Sequence, residues 1–130
     1  MIHLKKLSIT EDSLRMLVDE FYNRVRSDDL IGPVFNNVVT DWPAHLGKLQ
    51  AFWSSVMLTS GRYKGQPLPV HIKHAHQINR QSFERWLSIW HATTSEIMDE
   101  PSAAALQAKA AKIAESLSLG IEYSRKANLV

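Results

Sequence analysis

The sequence predicts an all-α fold, and three observations carry that prediction. Apolar residues recur at three- and four-residue steps in four stretches, the signature of helices with one buried face. Residues that start or stop helices, such as Thr10, Gly32-Pro33, Asp41 and Asp99-Glu100-Pro101, fall between those stretches. No segment alternates like a half-buried strand for more than four residues, apart from the ambiguous pieces Pro33-Val34-Phe35 and Asn37-Val38-Val39.

The elements follow in chain order. Thr10 precedes Glu11 and Asp12, a helix cap followed by acids where the helix dipole favours them. Leu14, Leu17, Val18, Phe21, Tyr22 and Val25 then form the cleanest amphipathic stripe in the chain, with the Tyr22 hydroxyl as its one polar tip. Gly32-Pro33 ends this helix, and a short turn containing Val34 and Phe35 leads to Thr40 or Asp41, which caps the next one. His45, Leu49, Phe52 and Val56 share one face of that helix, which is expected to end between Leu58 and Ser60. After a Gly- and Pro-bearing loop, the segment His71 to Gln77 is read as a short helix. Asn79 caps a helix whose stripe is Phe83, Trp86, Leu87 and Trp90. The last helix is expected from Ser102 to about Arg125, with Leu106, Ala110, Ile113, Ala114 and Leu117 inward, an interruption at Gly120 and frayed final residues.

Composition bounds the function. A chain of 130 residues suits one domain, here 1–130 with a core of about 10–125, able to hide roughly two thirds of its unfolded surface. Its 45% hydrophobic and 22% charged content is that of a globular protein. No apolar run approaches the ~20 residues of a membrane span. Met1 to Thr10 lacks the apolar segment and cleavage site of a signal peptide, so a cytoplasmic location is expected. With no cysteine, disulfides and thiolate chemistry are excluded, and any metal chemistry falls to histidine and carboxylate. The charge of +2 is spread along the chain without an aromatic-interleaved basic stripe, which argues against a nucleic-acid partner.

Two histidines stand out because His45 lies on an apolar helix face and His71 follows the mostly apolar Leu68-Pro69-Val70. Taken singly, either is more often a surface or satisfied core residue than a ligand. A neutral imidazole can nevertheless hold iron, its other nitrogen fixed by a carbonyl or carboxylate. His71, His74 and His76 could also suggest zinc, but the third faces away and a closed site would need a distant carboxylate. One functional histidine with two solvated neighbours is the preferred reading. Phe21 and Tyr22, Phe52 and Trp53, and Phe83 and Trp86 place aromatics on three helices. Core packing accounts for the phenylalanines, whereas Tyr22, His45 and Trp86 are three donors that could converge on one polar ligand.

Six motifs together carry a family resemblance. They are Phe21-Tyr22-Asn23-Arg24-Val25-Arg26, Ile31-Gly32-Pro33-Val34-Phe35, Asp41-Trp42-Pro43-Ala44-His45-Leu46, Phe52-Trp53-Ser54-Ser55-Val56, Tyr63-Lys64-Gly65-Gln66-Pro67 with His71, and Phe83-Glu84-Arg85-Trp86-Leu87. In this order and spacing, from about residue 10 to 120, the chain resembles the group III truncated hemoglobins of bacteria. The resemblance implies a shortened globin fold, two helices over two, enclosing one heme b. It makes His71 the proximal iron ligand, and Tyr22, His45 and Trp86 the distal residues facing a bound gas, with His45 as a swinging gate. Leu49 and Phe52 would line the distal side and Phe35 would pack near the heme, while Lys48, Arg62 and Tyr63 are candidate partners for its propionates. The departure is His74-Ala75-His76-Gln77, where several relatives carry a Leu-Pro type turn. That leaves the course of the proximal helix open and His74 as a second, lesser axial candidate.

The expected function is a heme protein that binds dioxygen, nitric oxide or carbon monoxide at a histidine-ligated iron and uses it for oxygen or nitric oxide redox chemistry. A nitric oxide dioxygenase- or peroxidase-like activity would require an external reductase. Donors from Tyr22 and Trp86 would stabilise negative charge on bound dioxygen, giving tight binding and slow release. The alternatives are a reversible oxygen-binding or storage protein, and a heme-free helical module that binds zinc or a partner through His71 and His74.

Overall fold

The structure, a computed structural model, describes residues 6–128. The reading of Met1 to Thr10 thus falls partly outside the described residues, as does the fraying expected at Leu129 and Val130. Six α-helices account for most of the described residues: α1 (Glu11–Arg26), α2 (Gly32–Val38), α3 (Trp42–Leu58), α4 (Pro67–Lys73), α5 (Arg80–Ile97) and α6 (Glu100–Asn128), with a 3-10 turn at Ala75–Gln77. None is long and apolar enough to cross a membrane.

Local chemistry explains the helix ends. Thr10 Oγ1 accepts from the Ser13 amide at 3.0 Å, and Ser13 Oγ accepts in return from the Thr10 amide at 2.8 Å, so two end-of-helix donors are satisfied together. Asn79 and Ser82 repeat this reciprocal cap on α5. Asp41 Oδ1 caps α3 through the Ala44 amide at 3.1 Å, and α3 stops at Thr59, which adopts a left-handed φ of 57°. Asp99 Oδ1 takes the Ser102 amide at 2.9 Å and opens α6.

Three expectations require correction. The ambiguous strand pieces and turn at 33–39 are helix α2. Asp28 Oδ2 accepts the Leu30 and Ile31 amides, each at 3.0 Å, and this turn delivers Pro33 to the first helical turn, where its missing N–H costs nothing. The short helix placed at 71–77 begins at Pro67 instead, with both prolines in its first turn, and it stops at His74 (φ −106°, ψ 18°) before the 3-10 turn. The last helix begins at Glu100 and passes Gly120 without interruption. Gly120 is occupied differently, as the place where Leu68 packs. Outside the helices, an isolated parallel bridge joins Leu7 to Met98 through Leu7 N to Ile97 O (3.0 Å) and Asp99 N to Leu7 O (2.8 Å).

The helices pair as α1 with α3 and α5 with α6, and α1 packs on α5 to join the pairs. Leu14, Leu17, Val18, Phe21 and Val25 of α1 are buried against Trp53 of α3, Trp90 of α5 and Leu106 and Ala110 of α6. Trp90 is the hub of this core. It stacks on Trp53 (4.4 Å between centroids, 18°) and takes the edge of Phe21 (4.8 Å, 83°). Its indole N–H donates to Leu106 O at 3.1 Å, so this buried polar hydrogen is satisfied. Trp86, one turn before Trp90, continues the stack in a parallel plane at 6.0 Å (1°) and carries it toward a cavity.

Candidate functional site

A cavity of about 630 Å³ opens among α1, α2, α3, α4, α5 and α6. That volume lies within the roughly 300–1,000 Å³ of small-molecule and cofactor sites. Tyr22, Phe35, His45, Leu49, Phe52, His71 and Trp86 all line it, so the seven residues singled out in the sequence meet at one place.

Tyr22 comes from the buried stripe of α1 and is 3% exposed. Its ring meets Phe35 of α2 edge-on at 5.7 Å and His45 of α3 edge-on at 6.3 Å. Burial pushes its phenol up to about 12, against an opposing hydrogen bond with Trp86. Tyr22 is therefore a neutral O–H donor at neutral pH. His45 is half-buried, and burial followed by the Lys48 charge on the next turn lowers its pKa, favouring the neutral imidazole. Trp42 sets its edge against His45 (5.6 Å, 90°), and the Arg26 guanidinium lies 4.4 Å over the Trp42 ring in a cation–π contact. Tyr22, His45 and Trp86 thus form one polar cluster in a mostly apolar wall.

His71 has a different setting. It is carried by α4 and its Nδ1 lies 2.7 Å from Pro67 O, one turn back. A carbonyl only accepts, so Nδ1 carries the hydrogen and, in the neutral ring, Nε2 keeps a free lone pair. A metal-ligating histidine needs this tautomer and this second anchor.

The cavity wall includes Lys48, Arg62 and Lys64 and no carboxylate among the described residues. Arg62 pairs with Glu11 of α1, which also accepts from the buried Ser54 hydroxyl. Ser54 and Ser60 share a hydrogen bond at 2.6 Å, and the Tyr63 amide donates to Ser55 Oγ at 2.8 Å. These bonds tie the loop after α3 to α1 and α3, and the Tyr63 ring packs edge-on against Phe52 at 5.3 Å. The arrangement can enclose a flat apolar group, offer one imidazole lone pair to a metal on it, and meet carboxylates on its rim with cations. These are the features a heme requires, and the residues fit it.

The expectation that His74 and His76 are both solvated holds only for His76. His74 is half-buried and lines the cavity, three residues after His71 and therefore on the same side of the chain. Val38, Ile78, Ile113 and Leu117 also line the cavity without having been singled out as site residues. Ile113 and Leu117 had been placed on the inward stripe of the last helix, yet a stripe does not distinguish core from cavity wall. No group of three or more His, Cys, Asp or Glu side chains among the described residues is arranged to hold a metal ion.

No protein-family model matches the chain. It is 32% identical over 101 residues to the group 3 truncated hemoglobin ctb of Campylobacter jejuni, covering 75% of this chain and 79% of the relative. Its fold is similar to the crystal structure of the group III truncated hemoglobin from Campylobacter jejuni, with a TM-score of 0.83 and 29% identity over 91% of this chain and 95% of that one.

Proposed function

Because the chain belongs to the group III truncated hemoglobin family and is accordingly a globin-type heme protein, we propose that it holds one heme b in a single domain through His71. On this reading it takes dioxygen, nitric oxide or carbon monoxide on the side facing Tyr22, His45 and Trp86, and serves oxygen or nitric oxide redox chemistry in the cytoplasm. The observation that carries the reading is one cavity lined both by an imidazole with Nδ1 bound to Pro67 O and by a cluster of three hydrogen-bond donors.

When bound, the heme supplies an iron that takes diatomic ligands and exchanges electrons. The chain's own residues do the rest. His71 Nδ1–H, held by Pro67 O, keeps the ring turned so that Nε2 can bind the metal. Tyr22 O–H and Trp86 N–H line the same cavity and would be the donors available to a polar bound gas. Phe35, Leu49 and Phe52 keep water away, so these donors act at low dielectric. Burial keeps the Tyr22 proton in place at neutral pH. Neutral His45 can add a third donor or swing aside, and Lys48, Arg62 and Lys64 would meet the carboxylates of the heme edge.

Two donors that would stabilise a polarised bound gas favour an oxygen-consuming cycle, nitric oxide dioxygenase- or peroxidase-like, supplied with electrons by a separate reductase. A reversible oxygen store is the second reading, and the convergence of Tyr22 with Trp86 weighs against the fast release it needs. The test begins with hemin-loaded protein, whose intense near-ultraviolet band should shift on reduction and again with carbon monoxide. His71→Ala should fold and lose this band, and retention of heme by that variant would refute the assignment of His71. Sustained nitrate formation from nitric oxide at physiological donor levels would separate enzyme from store.

A further inference from the structure

We infer that the C-terminal third of α6 is the seat that positions His71, with Gly120 and Arg125 as positioning residues. The inference rests on the proposed role of His71 as iron ligand. It begins from α4, the helix that carries His71, which contributes no residue to the hydrophobic core cluster and packs chiefly on α6. The hydrophobic core therefore does not hold α4 in place.

Two contacts from α6 do. Leu68, three residues before His71, lies against Gly120 so closely that a Cβ at position 120 would sit 2.5 Å from Leu68 Cδ1 and 3.1 Å from Cδ2. Five residues on, the Arg125 guanidinium donates through Nη2 to Ala75 O at 2.7 Å and to Ile78 O at 2.8 Å. Those carbonyls lie at the start of the 3-10 turn that follows α4 and just past its end. Glu122 Oε1 accepts from Arg125 Nη1 at 3.0 Å and aims the guanidinium. Ala75 O also accepts the Ile78 amide at 3.2 Å; a cation at these two carbonyls adds charge-assisted hydrogen bonds, and the planar fork spans both acceptors, which an ammonium would reach less well.

The chain of constraint is then continuous. The His71 ring is tied to Pro67, one turn back on its own helix. Leu68 seats that helix on Gly120, and Arg125 fixes the turn that leaves it. A shift of α4 along α6 carries Nε2 with it, so the end of α6 sets the orientation and strain of the proximal bond. Of this part of α6, Ile121 is buried, while Leu119 and Tyr123 beside the seat are 63% and 77% exposed.

The test uses the full heme-loaded chain with Arg125→Ala, Arg125→Lys and Gly120→Ala, and Lys112→Ala as a surface control on the same helix. The readouts are the iron–histidine stretching band of the reduced protein by resonance Raman, hemin transfer to excess heme-free globin, and thermal stability. Arg125→Ala should shift or broaden the band and speed hemin loss roughly tenfold, the scale of a lost charge-assisted hydrogen bond. Arg125→Lys should fall between, and the control should match wild type. Gly120→Ala gives a more searching comparison. Alanine favours the helix over glycine, so thermal stability should hold or rise while the displaced Leu68 loosens the seat, moves the band and speeds hemin loss. Unchanged bands and hemin loss in both Arg125→Ala and Gly120→Ala would overturn the inference. A wild-type protein with no iron–histidine band, or a band surviving in His71→Ala, would instead overturn the His71 assignment and the seat with it.

Discussion

Tyr22→Phe removes a single oxygen atom from a ring that is 3% exposed. The phenyl ring keeps the shape that packs edge-on against Phe35 at 5.7 Å and His45 at 6.3 Å, so the fold should persist. What is lost is one donor toward the bound gas. A hydrogen bond to a charged acceptor contributes about 1.5–3 kcal/mol. Trp86 remains in the same cavity wall as a second donor, which places the net loss at the low end, about 1.5 kcal/mol, or roughly tenfold in a rate constant. Dioxygen should therefore leave the reduced protein about ten times faster, measured by stopped-flow displacement with carbon monoxide. The Tyr22→Phe, Trp86→Phe double mutant should release it faster than either single variant, with a coupling between the two because both line one cavity and would serve the same ligand. An off-rate changed by less than about twofold in all three variants would refute the argument, since that corresponds to only ~0.4 kcal/mol.

Two further outcomes follow from the geometry. Gly32→Ala should destabilise the protein by about 2 kcal/mol through overpacking, because the new Cβ would lie 2.8 Å from Arg26 O and 3.1 Å from Val25 O, backbone atoms that cannot swing away. A melting temperature lowered by roughly 8 °C is expected, and an unchanged one would show that the α1–α2 turn relaxes freely. The second concerns pH. The folded state lowers His45 below its ordinary value of 6.5, so between the folded and unfolded values the unfolded chain binds more protons. This penalty is absent well above pH 6.5, grows as pH falls through that value, and levels off below the folded pKa. His45→Gln should flatten the loss of thermal stability on acidification below neutral pH, and identical profiles for variant and wild type would remove His45 as its source.

Legibility of the chain from its sequence varied with the range of the forces involved. The helix Glu11–Arg26 was readable because its stripe, its Thr10 cap and its acidic first turn are all local signals that agree. The helix Gly32–Val38 was not, because valines, asparagines and a proline in seven residues have no helical preference of their own. Its geometry depends on the Asp28 carboxylate and on the close approach of Gly32 to the Arg26 carbonyl. Gly120 reads as a helix interruption in the sequence for a related reason, yet α6 continues through it. A glycine in a helical pattern looks like a break until the Leu68 side chain from another helix is seen to occupy the space.

By itself the sequence determined the helical class, the apolar stripes, the absence of thiol chemistry and the motifs that mark the family, since each is written in residue type and in spacing of three or four. Only the tertiary structure decided that Tyr22, His45, His71 and Trp86 share one cavity, that His74 turns toward it, and that the helix carrying His71 rests on the far end of α6 rather than on the core. The physical reason is that periodicity tells which face of a helix avoids water. What that face meets, a packed neighbour or the wall of a cavity, is set by contacts between residues tens of positions apart.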